Sequence, residues 1–308
     1  MQQAAWILLL IVLVWTGSDL AYSLWVRWRW RRWEQHLQFD NRGVRPGCDS
    51  FRLGTGREPA AILCIHGFND SPRVFQLLAR RWNEAGFFVH ALRLPGFAEH
   101  SSQSRHVGAA DWLHAVFEAM ITLRRDHQHV YVAGHSLGGA LAIAVLRQHA
   151  ALADACILIA PALDVSRARS PVFHPQVWHK LANYLLLFTE AVYSFFPLDV
   201  MQPALPELPC TTRFSWRRMH DEMFRLFAEN RQQAGQFAVP CFLALAGHDH
   251  IVDNQAAMRF LEEARCPVKQ KKVYDRSAHV LPIDGQWEEL ANDVLEFLDH
   301  CRSVSDGG

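Results

Sequence analysis

From about Glu58 onward, short apolar runs alternate with stretches in which apolar residues recur every three or four positions. The short runs predict strands at Ala60–Ile65, 87–92, 130–133, 156–159, Cys241–Ala246 and Lys269–Tyr274. The spaced stretches predict helices over 71–84, 109–123, 137–149, Asn254–Glu263 and 287–300. In the first of these, Val74, Leu77, Leu78 and Trp82 share one face. Strand and helix in alternation imply βαβ units, hence an α/β fold with a mostly parallel central sheet and helices on both faces. The rhythm fails from 165 to 236. Pro171, Pro175, Pro197, Pro203, Pro206 and Pro209 fall there, beside an apolar helical patch over 178–196. This stretch reads as an inserted helical cap. The chain then divides into a core at 34–164 and 237–303, a cap at 165–236 and a tail at 304–308.

Ahead of the core lies a segment of a different kind. Residues 4–14 are nearly all aliphatic, and after Thr16, Gly17, Ser18 and Asp19 a second apolar stretch covers 20–26. Together they match the roughly 20 residues that span a bilayer as a helix. Asp19 opposes insertion by about 2.5–3.5 kcal/mol, whereas the eleven Leu, Ile and Val residues between Ala4 and Val26 return roughly 3–7 kcal/mol. The balance runs from near zero to favourable. No Lys or Arg precedes the apolar run, which argues against a cleaved signal peptide. Arg27, Arg29, Arg31 and Arg32 follow it, interleaved with Trp25, Trp28, Trp30 and Trp33, a mixture suited to the headgroup layer. Residues 1–33 are therefore expected to form a membrane anchor. The positive-inside rule then places the following domain on the cytoplasmic side of an inner membrane.

Composition narrows the picture a little further. A chain of 308 residues with half its residues apolar supports one sizeable core and an insertion. Its formal net charge of zero points to no nucleic-acid partner. The seven cysteines include no C-x-x-C pair, and Cys64, Cys156 and Cys241 sit in apolar strand runs. They read as buried free thiols, the usage of a reducing compartment. No metal-ligand spacing stands out among the seventeen histidines. Oligomeric state is left open.

The chemistry concentrates in three places. Gly134-His135-Ser136-Leu137-Gly138 matches G-x-S-x-G, a strand-to-helix turn that presents a nucleophilic serine. The context fits, with strand-like 130–133 before it and helix-like 137–144 after it. A serine hydroxyl needs a base to take its proton and a carboxylate to orient that base. Asp249 follows the strand that ends in Ala246, and His279 lies shortly after the strand that ends in Tyr274. Both positions point to the edge of the sheet where strand C-termini converge. His248, His250, Asp253 and Asp275 are close by in sequence and read as solvated loop residues. The oxyanion of a tetrahedral intermediate needs N–H donors. The backbone N–H of Leu137, after the nucleophile, and that of Phe68, in the loop after Ile65, are the expected pair. His66 and His135 are expected to brace these turns.

With these residues in view, the chain resembles bacterial carboxylesterases and monoacylglycerol lipases of the α/β-hydrolase superfamily, from about Ala60 to Leu298. The resemblance rests on His66-Gly67-Phe68, Leu94-Pro95-Gly96-Phe97, Asp111-Trp112, Gly134-His135-Ser136-Leu137-Gly138-Gly139, Gly247-His248-Asp249 and Ser277-Ala278-His279-Val280. Ala278 stands where that family commonly has glycine, and the cap looks longer and more apolar than in its compact members. The resemblance implies a serine esterase with no metal and no organic cofactor. Its expected substrate is a carboxylic ester with an apolar acyl chain, such as a monoacylglycerol or lysophospholipid. Thioesterase, amidase, peptidase and acyltransferase chemistry would use the same residues. A non-catalytic scaffold would not need Ser136, Asp249 and His279 together.

Overall fold

The computed structural model describes residues 2–168, 170, 172–205 and 211–306. Pro171, Pro206, Pro209 and Cys210 lie outside the described residues. In chain order the elements are α1 (Gln2–Glu34), β1 (Phe51–Leu53), β2 (Ala60–Ile65), α2 (Gln76–Glu84), β3 (Phe88–Leu92), α3 (Ser101–Ser104), α4 (Ala109–Asp126) and β4 (His129–His135). There follow α5 (Leu137–Gln148), β5 (Ala155–Ile159), α6 (Pro175–Leu185), β6 (Ala191–Tyr193), β7 (Phe214–Trp216) and α7 (Arg217–Gln232). The chain closes with β8 (Cys241–Ala246), α8 (Asn254–Glu263), β9 (Lys269–Tyr274) and α9 (Trp287–Asp306).

Seven strands form one sheet in the order β1-β3-β2-β4-β5-β8-β9, parallel throughout except for β1, which runs antiparallel to β3. The helices α2 and α9 pack together, and α4, α5 and α7 pack against one another. The predicted mostly parallel sheet with covering helices is what the chain forms. Its periodicity has a direct cause. Every residue of β2, β5 and β8 is buried, because helices cover both sides of the inner strands and leave no polar face to alternate. At one edge, β9 keeps Lys269, Lys271 and Lys272 outward, charges that blunt an open strand edge.

Four local expectations are corrected. The helix predicted over 71–84 starts as a 3-10 turn at Pro72–Phe75, and α2 proper begins at Gln76. The apolar patch over 178–196 is only partly helical, since α6 ends at Leu185 and β6 pairs antiparallel with β7. A helical pattern cannot register a three-residue strand whose partner is some twenty residues away. Finally, Cys48 is disulfide-bonded, whereas Cys64, Cys156, Cys241 and Cys266 are free thiols. Disulfides persist in oxidising surroundings, so this bond removes the cysteine argument for a reducing compartment. The last helix also runs on through 304–306, which the sequence pattern set aside as tail.

Candidate active site

β4 ends at His135 and α5 begins at Leu137, so the backbone changes from strand to helix within Ser136. That residue takes φ 53° and ψ −116°. Such a conformation costs a non-glycine residue about 1–3 kcal/mol and persists only where its surroundings hold it. Here Ser136 N–H donates to Ile159 O at 3.0 Å, and Ser136 O accepts from the N–H groups of Gly139, Ala140 and Ala162. The glycines allow the fit. A Cβ on Gly134 would stand 2.5 Å from Gly138 O, and one on Gly138 would stand 2.0 Å from Ile65 O. Gly67 lets the loop after β2 pass the serine, since its Cβ would meet Ser136 Cβ at 3.2 Å.

Three residues from separate loops meet at this turn. His279 Nε2 lies 3.0 Å from Ser136 Oγ, and His279 Nδ1 lies 2.8 Å from Asp249 Oδ2. With Nδ1–H donating to the carboxylate, Nε2 is left to accept the serine proton. Burial alone would raise the Asp249 carboxyl. The charge and hydrogen bond of His279, with the N–H groups of Val252 and Ile251, outweigh it and hold the group below the usual carboxylate range. Asp249 is thus an anion placed to orient and stabilise a charged imidazole. The arrangement can carry nucleophilic attack by Ser136 with proton transfer through His279.

The neighbouring residues sort by their bonds. Leu137 is the first residue of α5, so its N–H belongs to the unpartnered first turn of the helix. Phe68 lies in the loop facing it, and both Phe68 and Ser136 line one cavity of about 480 Å³. His66 Nδ1–H donates to Gly67 O at 2.8 Å while its Nε2 accepts from Leu94 N–H at 3.1 Å. Burial pushes His66 down to about 4 and His135 down to about 3, so both rings are neutral at ordinary pH. His135 Nε2–H donates to His279 O at 3.0 Å and thereby steadies the loop that carries His279. Among the sequence neighbours of Asp249, Asp253 accepts from Gln255 N–H to cap α8, and His250 bonds to Asp199. Asp275 is exposed beside Arg276.

Three buried carboxyls escaped the sequence pattern. Asp199 bonds through Oδ2 to the N–H of His250 and of His279. Asp284 accepts from the N–H groups of Ala278, Met201 and Gln202, tying the histidine loop to the segment that leaves the cap. Asp70 lines the cavity two residues after Phe68, and burial pushes its carboxyl up to about 7 against the pull of Ser71 N–H and of His279. Nothing local marks these residues, because each is defined by what the tertiary fold brings to it. A wider groove of about 530 Å³ lies between α1 and α3, lined by Arg27, Trp30, Glu34 and Arg105 among others. It contains none of Ser136, Asp249 and His279, whereas Ser136 and His279 both line the other cavity.

Comparison with known proteins places the chain in a family. The family model described as serine aminopeptidase, S33, matches residues 56–286. A carboxylesterase from Bacillus subtilis (strain 168) is 25% identical over 240 residues, covering 78% of this chain and 92% of the relative. A thermostable monoacylglycerol lipase from Bacillus sp. (strain H-257) is 24% identical over 257 residues, covering 83% and 96%. Among solved structures, a soluble variant of monoglyceride lipase from Saccharomyces cerevisiae aligns with a TM-score of 0.71 at 16% identity, over 86% of this chain and 95% of that one. This last likeness is one of fold.

Two substitutions test the site as built. Gly138→Ala should lower stability by about 2–3 kcal/mol in urea unfolding, since its Cβ would strike backbone that cannot step aside. Asp70 titrates near 3.8 when unfolded and at about 7 when folded. The folded state therefore holds the proton more tightly, and stability falls as pH rises from about 4 to about 7. Asp70→Asn should remove that fall and gain at most about 4 kcal/mol over the wild type at pH 8, with little gain near pH 4. Equal gains at the two pH values would contradict the burial argument.

Proposed function

The chain belongs to the family described as serine aminopeptidase, S33, and on that premise we propose that it hydrolyses carboxylic esters with an apolar acyl chain, of the monoacylglycerol or lysophospholipid kind, through an acyl-enzyme on Ser136. What carries the reading is the hydrogen-bonded run Ser136–His279–Asp249 opening into a cavity walled by Phe68, Phe196, Leu198, Met223, Phe227 and Ile251. Such a wall suits a hydrocarbon chain, and Asn69, Ser194, Thr211 and Thr212 on the same cavity offer polar contacts to the rest of the substrate. The relatives named as carboxylesterase and monoacylglycerol lipase point the same way.

In this mechanism Ser136 Oγ attacks the ester carbonyl carbon as His279 Nε2 takes its proton. Asp249 stabilises the imidazolium that forms. The carbonyl oxygen becomes an oxyanion, which accepts from the N–H groups of Leu137 and Phe68. Collapse breaks the ester C–O bond, and the departing alkoxide takes the proton back from His279. Water then repeats the sequence on the acyl-enzyme and frees the acid.

Residues 1–33 hold this enzyme on a membrane. α1 is long and apolar enough to cross a bilayer, with mean hydropathy 1.9 in its most apolar window. A cleaved signal sequence would pass the same length test, but α1 continues unbroken to Glu34 and its second half bonds to the rest of the protein. Arg27, Arg29, Arg31 and Arg32 favour the cytoplasmic side for the domain, whereas the Cys48 disulfide favours an oxidising one.

Ser136→Ala should abolish ester hydrolysis and phosphonate labelling while leaving thermal unfolding unchanged within a few degrees. Asp249→Asn and His279→Ala should each lower kcat by orders of magnitude, the first through lost orientation of the ring and the second through lost proton transfer. Turnover near the wild-type rate in Ser136→Ala would sink the assignment. The full-length chain should sediment with membranes and be released by detergent, not by high salt. A soluble full-length protein would remove the anchor.

A further inference from the structure

α1 behaves as two different helices. From Trp6 to Val14 its large side chains are exposed on every face. From Asp19 onward one stripe turns inward: Asp19, Ser23, Val26, Trp30 and Glu34 are buried, at spacings of three and four that keep them on a single face. What they meet is the cap. Asp19 Oδ2 accepts from Leu187 N–H at 2.6 Å and Phe188 N–H at 2.7 Å, and Asp19 Oδ1 accepts from Thr189 Oγ1 at 2.6 Å. Ser23 Oγ donates to Phe188 O at 2.7 Å, and Trp15 Nε1 donates to Leu185 O at 2.8 Å. One turn further on, Val26 and Trp30 pack with Ala191 and Phe214 of the β6–β7 pair, with the Trp30 and Phe214 rings stacked at 5.4 Å.

The same stretch is also tied to α7, where Arg217 Nη1–H donates to Leu186 O at 2.8 Å and Arg217 N–H donates to Glu190 O at 2.7 Å. α6 buries none of its residues, and Leu187, Phe188, Phe195 and Phe196 remain exposed. Yet the segment that α1 grips leads straight into the substrate cavity. β6 ends at Tyr193, and Ser194, Phe196, Pro197, Leu198 and Asp199 line the cavity that holds Ser136. β7 is preceded by Thr211, Thr212 and Arg213, which line the same cavity. Ser194 N–H donates to Arg213 O at 2.7 Å and closes the two returns on each other.

A carboxylate in an apolar helix is expensive and is kept where it has work to do. We propose that α1 is a strut for the cap, with Asp19 as the positioning residue that sets the 194–199 wall of the substrate cavity from within the membrane-anchoring helix. The proposal rests on the acyl-ester reading above. Asp19 supplies three acceptor contacts to backbone and hydroxyl donors that otherwise go unmatched when the segment is buried against α1. Without them the link between α6 and β6 keeps its bonds to Arg217, Ser23 and Trp15 but loses the three that fix residues 187–189, and the wall beyond it loosens. The wall matters for a long acyl chain, which must lie along it. A short acyl group needs only the turn at Ser136, the two backbone N–H donors and His279, all of which the core holds. α1 also precedes the 56–286 span of the family match, so the strut is an addition to the part of the chain that carries the chemistry.

The test uses the full chain in one detergent and a series of p-nitrophenyl esters from acetyl to palmitoyl, with phosphonate titration to count working sites. Asp19→Ala should lower kcat/KM for the long-chain esters about 10- to 100-fold, mostly through KM, and leave acetyl ester turnover and the titrated fraction within about twofold. Asp19→Asn, which keeps an acceptor oxygen toward Leu187 and Phe188, should recover most of the loss. Deleting Met1–Val14 leaves every one of these contacts in place and should not change the chain-length profile, whereas deleting Met1–Trp33 should flatten it as Asp19→Ala does. Equal losses on short and long esters would reduce Asp19 to a general stabiliser and overturn the proposal, as would an unchanged profile in Asp19→Ala. Wild-type protein that takes the phosphonate but cleaves none of the esters would instead refute the ester reading.

Discussion

Ser136 holds a backbone conformation that a residue with a side chain does not choose for itself, and much of the molecule is arranged so that it has no alternative. Its N–H is bound by β5 and its carbonyl by the first turn of α5 and by the loop after β5. The parallel pairing of β2, β4 and β5 brings these partners to the same edge. The glycines around it are demanded by contact distances, since side chains at Gly134 and Gly138 would occupy space already taken by backbone. The sheet therefore does more than carry the serine. It keeps the hydroxyl at a fixed height above the strand ends, where residues from β8 and β9 loops can reach it.

Those residues arrive on loops that need support of their own. The loop of His279 is gripped from three sides, by His135 from the elbow, by Asp199 from the cap return and by Asp284 from the turn that follows it. Asp284 also holds Met201 and Gln202, so the His279 loop and the returning cap share one carboxylate. Placement of His279 and placement of the cap are for this reason coupled through hydrogen bonds, and the cavity between them inherits the precision of both. Asp249, pulled below the usual carboxylate range, and the neutral His66 and His135 leave one ring in contact with the serine.

The cap is held to the core through α7 and Asp284, but its helix α6 has no buried residue and its apolar side chains face outward. The contacts of Asp19, Ser23 and Trp30 join α1 to residues 187–189 and to Phe214, close in sequence to the residues that form the apolar wall. Asp19 opposes insertion when it is counted as one residue in an apolar run. Set against the cap, it is buried against protein donors and meets no hydrocarbon.

The sequence by itself determined the sheet-and-helix alternation, the turn at Ser136 and the order of Ser136, Asp249 and His279, because each is written in local signals. Buried parallel strands must be apolar throughout, a strand-to-helix turn needs glycines at set spacings, and loops after strand ends converge on one edge. The tertiary structure alone decided the rest. Asp199, Asp284 and Asp70 look like ordinary loop carboxyls until the fold buries them, and β6 has no strand signal without β7 beside it. The disulfide at Cys48 follows from proximity in space, which cysteine spacing does not reveal. Asp19 reads as an obstacle to a spanning helix until the donors of Leu187, Phe188 and Thr189, some 170 residues away along the chain, are brought against it. The physical reason is the same in each case. A polar group's cost or benefit is set by its partners, and partners distant in sequence exist only once the chain has folded.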